Sequence, residues 1–144
     1  LWLYSKPIIY LSDLSHLSAY QGYGQLQKNK SVEGVWLSSL YYFFDKGLGT
    51  HANSQIIYDL NKRYASFTTN FGVDTEANES ASVVFIIKGD GKTLFTSPKM
   101  TRFSFPGFAK VNITGVKLLE LVVTDAGDGI NSDHADWLEP KLYK

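Results

Sequence analysis

Val83-Val84-Phe85-Ile86-Ile87-Lys88-Gly89-Asp90-Gly91-Lys92-Thr93-Leu94-Phe95 is the stretch that decides the fold. Residues 83–87 and 93–95 are rich in β-branched and aromatic side chains, and Gly89-Asp90-Gly91 lies between them. Asp-Gly supplies the positive φ angles that a two-residue hairpin turn demands, so the stretch reads as two antiparallel strands. The same pattern continues on either side. Residues 66–71 set Phe67, Thr69 and Phe71 against Ser66, Thr68 and Asn70, the period of a half-buried strand. Val111 and Ile113 alternate with Asn112 and Thr114, and Ile56-Ile57-Tyr58 reads as a buried strand. Residues 118–123 read as a central strand covered on both faces. Residues 8–11 open the set and Leu142-Tyr143 closes it. Val35-Trp36-Leu37 is apolar, which places Trp36 in the core. The segment 12–34 is polar and glycine-bearing, too long for a structureless loop. No window carries a helical period, so the expected architecture is all-β: an antiparallel sandwich or barrel.

The chain has 144 residues, enough for one domain, and 44% hydrophobic residues, enough to fill its core. Fourteen basic and fourteen acidic residues cancel. No Lys/Arg run supplies the field a phosphate backbone needs, which argues against nucleic acid. No apolar stretch is long enough to span a bilayer as a helix. The absence of cysteine excludes a disulfide framework and a thiol nucleophile. Leu1-Trp2-Leu3-Tyr4 has no charged n-region and no cleavage site. It reads as the edge of a domain within a longer chain rather than as a signal peptide.

Two segments depart from ordinary strand-and-turn sequence. The first is Lys46-Gly47-Leu48-Gly49-Thr50-His51-Ala52-Asn53-Ser54. The second runs from Asp125 to Trp137 and holds Asp125, Asp128, Asn131, Asp133, His134 and Asp136. Carboxylates, amides and imidazoles exchange hydrogen bonds with neighbouring sugar hydroxyls. A flat ring covers the apolar face of a pyranose. His51, Asn131, Asp133 and His134 are therefore the candidates for hydroxyl recognition, and Trp137 or Tyr23 (between two glycines) for the apolar face. The Asp residues equally suit turns closed by side-chain to backbone bonds. They also offer the hard oxygens calcium takes, with Asp125 and Asp128 as its candidate ligands, although the spacing is not that of an EF-hand.

At these residues the chain resembles a known family. Tyr10-Leu-Ser-Asp13, Gly22-Tyr-Gly24, Lys46-Gly-Leu-Gly-Thr-His51-Ala, Tyr58-Asp-Leu60, Phe71-Gly-Val-Asp74, Asp90-Gly91 and Asp133-His-Ala-Asp-Trp137 occur in that order. They resemble the NPCBM domain, also called carbohydrate-binding module family 51, over residues 8–142. The resemblance implies a jelly-roll sandwich of the galactose-binding type, occupying residues 1–144 as one module of a larger bacterial enzyme. It implies a non-catalytic, secreted or cell-surface domain that binds galactose or blood-group A/B-type glycans beside a glycoside hydrolase in the same polypeptide. A structural calcium would fit the fold class. Family members differ in specificity, which directs attention to the loops 16–27, 75–80 and 101–108. Two other classes compete: a glycosidase using Asp133 and Asp136 as paired carboxylates, and a spacer or protein-interaction sandwich without a sugar site.

Overall fold

A computed structural model describes residues 9–144, so Trp2, Pro7 and Ile8 lie outside it. Two antiparallel sheets pack face to face. In the first, the strand order is Gly107–Asn112, Ser66–Val73, His134–Tyr143, Gly47–His51 and Gln27–Lys28, with Ile9–Tyr10 also on His134–Tyr143. In the second it is Lys92–Thr96, Ser82–Gly89, Leu118–Thr124, Ser54–Asp59 and Ser18–Tyr20, with Met100–Thr101 on Ser82–Gly89. The chain is thus an antiparallel β-sandwich, one of the two all-β forms its strands and turns predict and the one the family resemblance implies. Asp90 (φ 50°) and Gly91 (φ 82°) form the hairpin turn, and Lys92 faces Gly89 across it.

The core lies between the sheets and is built on aromatic contacts. Phe71 and Trp137 from the first sheet meet Phe85 from the second. Ring centroids are 5.0 Å apart for Phe71–Phe85 and 5.0 Å for Phe85–Trp137, the latter edge-on. Trp137 is wholly buried. It cannot present its ring to a sugar, which corrects its assignment as a stacking platform. Pro140 is tolerated in this ten-residue strand because the register against Ser66–Val73 shifts there. Glu139 takes φ 51° at that bulge, and Leu142 returns to the core.

Two other expectations change. Leu119, Leu121 and Val123 are buried, but their neighbours are only half-covered. The central strand therefore has one dry face, and its other face carries Glu120, which accepts a hydrogen bond from Gln55. Trp36 is 67% exposed, with the Lys30 ammonium 3.7 Å from its ring centre. Its run enters a small outer hairpin, Leu37–Ser39 with Tyr42–Phe44, of which Leu37–Ser39 is buried and Tyr42–Phe44 largely open. Segment 12–34 is partly ordered, as its length predicts: it holds the strands Ser18–Tyr20 and Gln27–Lys28.

Candidate functional site

The strand Gly47–His51 ends and the strand His134–Tyr143 begins at one end of the sandwich, and in that register His51 and His134 are direct cross-strand partners. Opposed residues put their Cβ atoms about 5 Å apart, and the two imidazole rings are 5.2 Å apart. The histidines of the two unusual segments thus meet. Gly22 brings a third ring to them. Its lack of a side chain lets the backbone approach the Ala52 carbonyl, where a Cβ would collide. Tyr23 then sits 5.1 Å from the His51 ring and 6.1 Å from the His134 ring. The three rings line a cleft of about 410 Å³, with Glu33, Asn78, Asn131 and Ser132 around them.

Hydrogen bonds fix how each group is oriented. The Tyr23 hydroxyl donates to Glu33 at 2.7 Å, and that carboxylate pushes its acidity down, so the phenol stays protonated. His51 Nδ1 lies 2.8 Å from the Ala52 carbonyl, which can only accept. Nδ1 therefore carries the proton, and burial pushes His51 toward the neutral form. Its Nε2 is left as an acceptor. His134 Nδ1 lies 2.7 Å from Glu76. Burial would lower its pKa, but the bond to Glu76 and that carboxylate's charge outweigh burial and raise it. Protonated His134 keeps Nε2–H as a donor. In that protonated state the site offers an acceptor and a donor side by side. Burial would raise Glu76, but His134 and Ser31, whose hydroxyl donates at 2.7 Å, hold it below the usual carboxylate value. Replacing Glu76 by Gln is expected to lower the His134 pKa, read from the imidazole proton shifts in an NMR pH titration. An unmoved His134 titration would contradict the pairing.

Of the residues named from sequence, Tyr23, His51, Asn131 and His134 line the cleft, and Asp133 and Trp137 do not. Asp133 is wholly buried and accepts from the Ser82 backbone N–H at 2.9 Å. Burial, with the charges of Asp128 and Asp125 nearby, pushes its pKa up to about 6. It anchors the segment that carries Asn131 and His134 and does not line the cleft. Asp125 closes a turn by accepting from Gly127 N at 2.8 Å, and Asp128 accepts from the Ser82 hydroxyl at 2.7 Å. Among the described residues, no group of three or more His, Cys, Asp or Glu side chains is placed to hold a metal ion. Asp125 and Asp128, the residues named as calcium candidates, each accept one hydrogen bond within these loops. Glu33 and Glu76 are not singled out by sequence reading: Glu33 lies in the polar segment 12–34, and Glu76 in the loop 75–80, which the family resemblance marks only as variable.

Asp136, like Asp133, is buried, so the two cannot flank a scissile bond. Asp136 lies beneath the outer hairpin against Asp74. Neither of its oxygens has a donor in reach if both groups are ionised. A proton on Asp136, donated to Asp74, resolves this, and burial raises the pKa of Asp136 well above the ordinary value. The folded protein holds that proton after the unfolded chain has lost its own. Stability is therefore lost as pH rises above about 3.9, by about 1.4 kcal/mol per pH unit until the folded group ionises. Asp136→Asn removes this term. Its stability relative to wild type should improve from pH 4.5 to pH 7.5 in paired thermal unfolding curves, and an unchanged difference would exclude the shared proton.

The sequence matches the NPCBM/NEW2 domain family over residues 8–143. It is 41% identical to the CBM51 of Clostridium perfringens GH95, solved in complex with methyl-galactose, with a TM-score of 0.86 over 93% of this chain and 98% of that one. It is 33% identical to the chain holding CBM51-2 and INT domains of Clostridium perfringens ZmpB, solved in complex with GlcNAc, with a TM-score of 0.88 over 92% of this chain and 30% of that one. Among curated proteins it is 29% identical over 140 residues to a putative endo-alpha-N-acetylgalactosaminidase of Renibacterium salmoninarum, covering 92% of this chain but only 9% of that protein. No helix among the described residues is long and apolar enough to cross a membrane. With its sandwich fold, its cleft and a match along nearly its whole length, the chain belongs to the NPCBM/NEW2 domain family of carbohydrate-binding modules.

Proposed function

We propose that this module binds galactose-containing host glycans, of simple galactose or blood-group A/B type, and holds an appended glycoside hydrolase at its substrate outside the bacterial cell. The observation that carries this reading is the Tyr23–His51–His134 cleft. The Tyr23 ring, 48% exposed, supplies a face for the C–H side of a pyranose. The histidine pair, with Asn131 at the rim, supplies an acceptor and donors for neighbouring hydroxyls. The likeness to a module that holds methyl-galactose supports the sugar class. In keeping with a non-catalytic module, the two carboxylates first suspected of catalysis lie in the interior. An open cleft buries few ligand atoms, so a single sugar binds weakly, at roughly tens of micromolar to millimolar. Several modules on one glycan surface gain through effective concentration.

Calorimetric titration of the isolated domain with methyl galactoside, N-acetylgalactosamine, N-acetylglucosamine, fucose and glucose, with and without calcium, tests the reading. Saturable binding confined to the galactose-configured sugars is expected. Preference for N-acetylglucosamine would overturn the galactose assignment. A folded domain that binds none of them would favour the spacer reading.

A further inference from the structure

A second cleft of about 480 Å³ adjoins the first, and the two share Asn78 and Asn131 as a common wall. Glu79, Ser80, Arg102 and Phe103 line its other sides. These residues come from loops apart from those that place the histidines. We propose that this cleft is a second subsite, which takes the neutral sugar next to the one in the Tyr23 cleft. The proposal rests on the sugar-binding reading above and extends it from a terminal residue to an oligosaccharide.

Arg102 is built in, not loosely draped. Its Nε donates to the Ala77 carbonyl at 3.0 Å and its Nη2 to the Tyr41 hydroxyl at 2.9 Å, and the guanidinium lies 5.0 Å from the Tyr41 ring centre. Tyr41 is itself held at φ 67°, with its backbone N–H donating to Thr75. A guanidinium has five N–H donors, and these two bonds leave three. No carboxylate lies within ion-pair distance of it among the described residues. A fork fixed in advance loses little entropy when it binds a hydroxyl or ring oxygen. Phe103 is 66% exposed and offers a ring face in the same cleft. The cleft therefore repeats the first one's chemistry: an aromatic face beside fixed polar groups. Glu79 lines the same cleft, so its walls carry one charge of each sign, which suits a polyhydroxyl ligand without charge over an acidic one.

The test compares methyl galactoside with neutral galactose-terminated di- and trisaccharides, linked β1-3, β1-4 and α1-3, and with a sialylated trisaccharide, by calorimetry on the folded domain. At least one neutral oligosaccharide should bind about tenfold tighter than methyl galactoside. Phe103→Ala and Arg102→Gln should each remove most of that gain and leave methyl galactoside affinity within about twofold, since neither residue touches the first cleft. Phe103 is exposed, so its variant retains the fold. Methyl galactoside binding with no gain for any neutral oligosaccharide, or a gain that survives both substitutions, would overturn the subsite alone. Tightest binding of the sialylated ligand would overturn its neutral character. No binding of any sugar would remove the parent reading and the subsite with it.

Discussion

Trp137→Ala should lower the unfolding free energy by about 3–5 kcal/mol, the usual cost of emptying a buried aromatic position. For a domain of this size, that corresponds to a loss of about 10–20 °C in Tm. The reason is position: the indole is wholly buried and packs edge-on against Phe85 and beside Phe71, joining the two sheets. Its Nε1–H has no hydrogen-bond partner among the described residues. Trp137→Phe keeps most of the apolar contact and deletes that orphan donor, so it should cost only about 1–2 kcal/mol. Urea unfolding followed by circular dichroism reads both values. A Trp137→Ala domain with unchanged stability and lost sugar binding would mean that the ring faces ligand.

Tyr23→Ala should have the opposite profile. The ring is half-exposed, so Tm should stay within about 3 °C, as at other surface sites. Sugar affinity should fall about tenfold or more, because the variant removes the aromatic wall of the cleft. Tyr23→Phe separates ring from hydroxyl. It loses the bond to Glu33 but keeps the face, and should bind within about threefold of wild type. His134→Ala should match Tyr23→Ala in affinity loss, since it removes the donor that Glu76 orients. Calorimetric titration of the three variants decides this. Equal losses for Tyr23→Ala and Tyr23→Phe would place the recognition in the hydroxyl and not in the ring.

Local chemistry was readable wherever one short segment determines its own geometry. Asp90-Gly91 specified its turn because few residues accept positive φ, and the 66–71 alternation specified a strand. The meeting of His51 and His134 follows from strand register, which the two segments each hint at but neither contains. Trp137 and Trp36 show where sequence reading fails. Trp137 ends a polar run, so it resembles a binding loop. In the fold the last four residues of that run open a central strand, and Asp136 on its outer side is covered by the hairpin Leu37–Ser39 with Tyr42–Phe44. Nothing local announces that cover. Trp36 precedes the same hairpin in an apolar run, yet sits on the open side, under Lys30. Glu33 and Glu76 were invisible for a related reason. Their partners, Tyr23 and His134, are 10 and 58 residues away, and a carboxylate in a polar loop carries no mark of what it will meet.

The most direct test of the central claim is two-dimensional NMR of the ¹⁵N-labelled domain titrated with methyl galactoside. Saturable shifts concentrated on Gly22, Tyr23, His51, Asn131, Ser132 and His134 are expected, with the core amides around Phe85 unmoved. Shifts that cluster elsewhere on the sandwich, with these six residues still, would contradict it.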